Sequence, residues 1–378
     1  MKKLFLILTV ILLSISFYPV KAMEKTADIL KKNVVTTGDG LYVDSTIDGR
    51  YIYRGGNPNN YIKLGDDLYR IISLEKDGTI KVIKQDSIGD MAWDEAEGRY
   101  STNSEDFCTC SYGSYGCTSW GSNTTTLDKN GNNVDKMPRE LNGTLKKLPE
   151  KEATLNTYLN NDFYNSLSDD VKSLIAEKTW NVGPTAWNQT NLSESIKEES
   201  VYKWKGKIAL MNATDYVKAS TNSECMSVSD YEEKYLGGKE SCYNNSSAHN
   251  YLYSNNALWT ISPLSTVFNA IFVYSVDEVG KLYTDYSVNG GLGVRPTFYL
   301  SFETTLNGEG TETNPYKVLK YVEEPKDEEN NNKDEVKVDN GQIVEVPSTS
   351  AFGSIIIAGL GIACVTGSAL IMRRTTRK

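Results

Sequence analysis

The chain has 378 residues, 39% of them hydrophobic, and a formal net charge of −9 at neutral pH. With 24 Tyr and 6 Trp, the composition is that of a folded chain and excludes a disordered one. No basic block precedes the extreme C-terminus to neutralise phosphates, which excludes a nucleic-acid partner.

Lys2 and Lys3 precede an apolar run, Leu4 to Val20, that closes on Val20-Lys21-Ala22. A charged start, an apolar centre and a small-residue end predict a secretory signal over residues 1–22. Period-2 alternation follows in Leu41-Tyr-Val-Asp44, Arg50-Tyr-Ile-Tyr-Arg54, Tyr61-Ile-Lys-Leu64, Asp67–Ser73 and Thr79–Lys84. Turns at Asp48-Gly49, Gly65-Asp66 and Asp77-Gly78 separate these runs, so the first third reads as an antiparallel meander.

From Ser101 to Leu148 the chain turns to Ser, Thr, Asn, Gly and Cys, a long surface excursion. Thr154 can cap a helix that aligns Leu155, Tyr158, Leu159, Phe163 and Leu167. A second helix is predicted from Ser168, with Val171, Leu174 and Ile175 on one face, ending at Trp180-Asn-Val-Gly-Pro184. Asn212-Ala-Thr-Asp-Tyr-Val-Lys-Ala219 reads as a short capped helix. Strands return at Leu258–Ile261, Asn269–Tyr274, Lys281–Tyr283 and Gly293–Leu300.

Residues 23–321 are therefore predicted as one extracellular α+β domain of antiparallel strands with two to three helices. Residues 322–346 form an acidic linker: eight acidic residues against three Lys between Glu323 and Asp339 repel one another and stay solvated. The uncharged run Phe352 to Met372 rises about 30 Å as a helix, enough to cross a bilayer. Arg373, Arg374, Arg377 and Lys378 place the tail, residues 373–378, on the cytoplasmic side.

Outside the cell, cysteines pair. Cys225 and Cys242 bracket a polar loop and are predicted to close it. In Cys108-x-Cys110-x6-Cys117 the two nearest positions are poorly placed to join, so Cys117 is expected to pair with one of them. A zinc site would lack its fourth ligand, since His249 is the sole histidine. No metal or cofactor is expected.

The tail Val346-Pro347-Ser348-Thr349, followed by an apolar span and basic residues, resembles a sortase sorting signal over residues 347–372. It departs from Leu-Pro-x-Thr-Gly at Val346 and Ser350. The resemblance implies a Gram-positive bacterial host, a sortase partner and cleavage after Thr349; a plain membrane anchor is the alternative. Leu258-Trp-Thr-Ile-Ser-Pro263, Ala270-Ile-Phe-Val-Tyr274 and Gly293-Val-Arg-Pro-Thr-Phe298 resemble the end of bacterial C-type-lectin-like surface domains, fibrobacter-type paralogous domains included. That resemblance implies a lectin-like α+β fold whose last sheet faces an extracellular ligand, a glycan or a protein. Tyr274, Tyr283 and Tyr286 lie on or beside those strands as rigid, half-polar contacts. The calcium-dependent sugar motifs of animal lectins are absent.

Catalytic signals are weak. His249 lies in an Asn/Ser/Tyr loop, and Ser73-Leu-Glu-Lys76 ends a strand instead of opening a helix. No spacing selects a carboxylate pair for sugar hydrolysis. Trp93 and Trp259 read as core, and Arg295 as a fastener of the last strand. The sequence reads as that of a surface-anchored binding or adhesion protein; a glycan-acting surface hydrolase and a structural envelope protein are the rival readings.

Overall fold

A computed structural model describes residues 23–95, 99–109, 116–232, 238–266, 270–284 and 286–320. The signal segment, Cys110, the acidic linker, Val346–Thr349, the Phe352–Met372 run and the basic tail lie outside the described residues. Among the described residues, no helix is long and apolar enough to cross a membrane.

Ten strands make one curled sheet. Its path runs Ile175–Ala176, Thr297–Leu300, Ile80–Lys84, Asp67–Leu74, Tyr61–Leu64, Tyr316–Lys320 and Thr304–Asn307. Gly40–Val43 and Tyr51–Arg54 form a hairpin attached to Asp67–Leu74, and Ile208–Ala209 pairs with Thr297–Leu300. Every pairing is antiparallel except that of Tyr316–Lys320 with Tyr61–Leu64. The Asp77-Gly78 turn forms as its residues require: Gly78 takes φ +86, and its N–H donates to the Glu75 carbonyl at 2.9 Å.

A second sheet orders Leu282–Tyr283, Val273–Val276, Leu258–Pro263, Gly291–Gly293 and Asp90–Ala92. Trp93 and Trp259 tie the edge strand Asp90–Ala92 to Leu258–Pro263 within this sheet. Their indole N–H groups donate to the carbonyls of Thr260 (3.0 Å) and Met91 (2.8 Å), and both rings are buried. Arg295 fastens the strand after it, donating to the carbonyls of Lys84 and Leu252 at 2.8 and 3.0 Å.

The α+β, C-type-lectin-like expectation with two to three helices is overturned. Among the described residues, strands hold 32% and helices 18%, and the longest α-helix without a π turn, Leu192–Glu199, has eight residues. Two causes are visible. The helical pattern from Thr154 continues through a π turn at Leu159–Phe163, and the helix capped by Ser168 stops at Leu174. Beyond it, β-branched and aromatic residues go into strands Ile175–Ala176 and Lys178–Asn181, where a helix end is predicted. Of the strands from Leu258 onward, four join Asp90–Ala92 in the second sheet, while Thr297–Leu300 and the last hairpin join strands from the start of the described part in the large one.

Two disulfides close loops, Cys108–Cys117 and Cys225–Cys242, the second with a sequence separation of 17. Constraining a loop of that length contributes about 3 kcal/mol in the chain-entropy model. A Cys225→Ser, Cys242→Ser double variant should lose stability of that order in urea titrations. An unchanged midpoint would show the loop to be pinned by its other contacts.

Candidate functional site

The helix Ala213–Lys218 starts with a capping box. Asp215 reaches back to the backbone N–H of Asn212 at 3.0 Å. The same carboxylate meets two cations from the large sheet. Lys81 Nζ lies 2.5 Å from Oδ2 and Arg50 Nη2 3.2 Å from Oδ1. The Asp215 and Lys81 side chains are only 4% and 3% exposed. At the other end of the helix, Lys218 Nζ contacts Asp44 at 2.7 Å, while Arg50 Nε contacts Glu75 at 3.1 Å. Three cations and three carboxylates thus interlock between sheet and helix. Lys81 reaches the cluster because strand Ile80–Lys84 is buried on both faces, so its side chain points inward.

Glu199 is the fourth carboxylate, and it has no cation partner among the described residues. It closes the helix Leu192–Glu199, a poor place for a negative charge. Ser262 Oγ donates to it at 2.6 Å, and the hydroxyl and backbone N–H of Thr214 donate as well. Burial pushes its pKa up to about 7, against these hydrogen bonds and with the help of the Asp215 charge. Burial alone would raise Asp215 too, but Lys81 and Arg50 outweigh it and hold that carboxyl far below the usual range. Burial and the nearby Arg50 lower the pKa of Lys218. Beside Glu199 and Asp215 lies a cavity of about 50 Å³, walled by Trp180, Tyr299, Asn212 and Thr214.

The tyrosines singled out by sequence separate. Tyr274 is buried in strand Val273–Val276, with its hydroxyl 3.5 Å from the Thr185 carbonyl, and is removed from any contact surface. Its neighbours in the strand are buried too, because both faces of this strand are covered. Tyr283 and Tyr286 are half-buried, with ring centroids 5.0 Å apart and planes tilted by 55°. They share their surroundings with Tyr253 around the turn at Asp277 and Glu278. Burial first, then Glu278, raises the pKa of Tyr286, and the Tyr253 hydroxyl donates to the Glu278 carbonyl at 2.7 Å.

His249 forms no triad. Its Nδ1 lies 3.0 Å from Ser220 Oγ, but Ser220 is fully buried and Nε2 has no partner among the described residues. Burial lowers the imidazole pKa. Sequence reasoning missed Arg50, Lys81, Glu199 and Lys218. Only the Asn212–Asp215 capping pattern pointed toward the cluster.

A family model described as a domain of unknown function (DUF6273) matches residues 146–302. That stretch supplies Glu199, Asp215, Lys218 and the tyrosine pair, while Arg50 and Lys81 come from outside it. No curated protein matches, and no solved structure does.

Proposed function

We propose that the chain is an extracellular binding protein held at a bacterial envelope, with Tyr283 and Tyr286 at its contact surface. The observation that carries the location is the pair of disulfides in the folded part, bonds that persist where cytosolic reductants do not reach. The Leu4–Val20 run and the Phe352–Met372 run support the same topology. For binding, the support is the half-exposed aromatic pair beside an acidic turn, a surface suited to a basic peptide or a glycan. Sorting through Val346, Pro347, Ser348 and Thr349 by a sortase is part of the proposal.

Protease treatment of intact cells should release the folded part, and wall digestion should free a chain ending at Thr349. Recovery of the whole chain from the protected fraction would reject the location. Tyr283→Ala and Tyr286→Ala should each weaken capture on glycan and peptide arrays at an unchanged melting temperature, since anchor aromatics often carry about 2 kcal/mol or more.

One observation favours the rival reading, hydrolysis of surface glycans. Glu199 and Asp215 have pKa values driven apart, as an acid and a base require. Against it, Asp215 is bound to two cations, and a cavity of about 50 Å³ is far below the roughly 300 Å³ at which ligand pockets begin. Hydrolysis assayed on the same samples decides between them.

A further inference from the structure

Outside the segment matched by the family model, a groove of about 600 Å³ runs beside helix Thr26–Lys31 and the hairpin of the last two strands. Its volume falls within the roughly 300–1,000 Å³ of small-ligand sites. We propose that this groove binds a neutral or amino saccharide, at a site separate from the tyrosine pair and independent of where the chain resides.

The lining divides into two kinds of surface. Ile29, Val34, Val35 and Leu41 give an aliphatic floor. Asp39, Asn33, Asn59 and Glu309 stand exposed around it. A sugar ring presents an apolar C–H face and a rim of hydroxyls. Planar carboxylates and carboxamides offer paired oxygens, or an oxygen and an N–H, at the spacing of neighbouring hydroxyls.

Asp39 is preorganised for this work. Its Oδ2 accepts from the Asn57 N–H at 2.8 Å. Gly55, at φ +117, leaves the room it occupies: a Cβ there would meet Asp39 Oδ1 at 2.2 Å. A carboxylate fixed before the ligand arrives loses less freedom on binding. Tyr53 backs the wall. It is 3% exposed, with its hydroxyl buried beside that of Tyr316.

Charge selects among sugars. Asp39 and Glu309 face a single lysine, Lys32, whose ammonium is taken by Glu24 at 2.5 Å. The groove is therefore acidic and disfavours phosphorylated or uronic sugars.

The experiment uses residues 23–321 and the full chain in parallel, titrated with N-acetylglucosamine, glucosamine, galactose and glucuronate by calorimetry and saturation-transfer NMR. At least one uncharged or amino sugar should bind, and glucuronate should not. Glu309→Gln, a change at an exposed position, and Asp39→Asn should each weaken that binding at least tenfold. Tyr283→Ala should leave it unchanged. No saturable binding by any of these sugars overturns the proposal, as does wild-type affinity in both groove variants. Loss of sugar binding only in Tyr283→Ala moves the site to the tyrosine face and also overturns it.

Discussion

Asp215→Ala is expected to cost about 3–5 kcal/mol of unfolding free energy, the loss that follows when one partner of a buried ion pair is removed. The reason lies in what stays behind. Lys81 and Arg50 would remain buried, with no carboxylate in the place now 2.5 and 3.2 Å from them. The helix Ala213–Lys218 would also lose its capping box. Urea denaturation of the isolated residues 23–321 measures the change. A companion variant, Lys81→Met with Asp215→Leu, should recover much of the loss, because exchanging the pair for apolar groups removes the stranded charge. A loss below about 1 kcal/mol in the single variant would mean that water reaches the cluster and screens it. Acid acts on the same group. Its folded pKa is depressed, so its contribution is present above the ordinary value of 3.8 and fades as pH falls toward the folded value.

Glu199→Gln carries the opposite pH signature. The Glu199 pKa rises from 4.5 to about 7 in the folded chain. Its contribution is therefore complete below pH 4.5 and is lost as pH rises through about 7. Between those values the folded chain keeps a proton that the unfolded chain releases. Stability from this group then falls by up to about 1.4 kcal/mol per pH unit. Glutamine keeps the shape and cannot ionise. The stability difference, variant minus wild type, should therefore grow steadily from pH 4.5 to 7 and level off above. Parallel pH profiles for the two proteins would sink the idea, and with it the view of Glu199 as the unpaired carboxylate of the cluster.

Much of the strand content was legible because period-2 alternation and Gly turns carry their own physical cause. The hairpins around Asp77-Gly78 and Gly65-Asp66 lie where those residues place them. The architecture was not legible. Lys81, between Ile80 and Val82, has the spacing of a solvent-facing residue, yet it is 2% exposed because a helix from much later in the chain covers that face. Alternation shows that two faces differ; it does not show that both are covered. The same limit misplaced Tyr274, whose strand is buried on both sides. Tyr283 and Tyr286 kept partial exposure, since Leu282–Tyr283 is the outermost strand of its sheet. Glu199 carried no local signal at all: its hydroxyl partners Thr214 and Ser262 lie in other elements.

The way the two ends of the chain meet in one sheet bears on how fast it can fold. Leu300 faces Ile80, and Tyr316 faces Ile62. Tyr61–Leu64 and Ile80–Lys84 have Asp67–Leu74 as a hairpin partner, but the other edge of each stays open until nearly all of the folded part has been made. Pairings of such long range close slowly, since the entropy of the intervening loop must be overcome before any contact forms. A chain emerging N-terminus first would hold strands Tyr61–Leu64 and Ile80–Lys84 with open edges, the condition in which chains stick to one another. Residues 146–302 in isolation would meet the same difficulty in mirror image: Thr297–Leu300 would keep its short partners, Ile175–Ala176 and Ile208–Ala209, and lose Ile80–Lys84. The matched segment thus lacks a central pairing of the sheet to which it contributes.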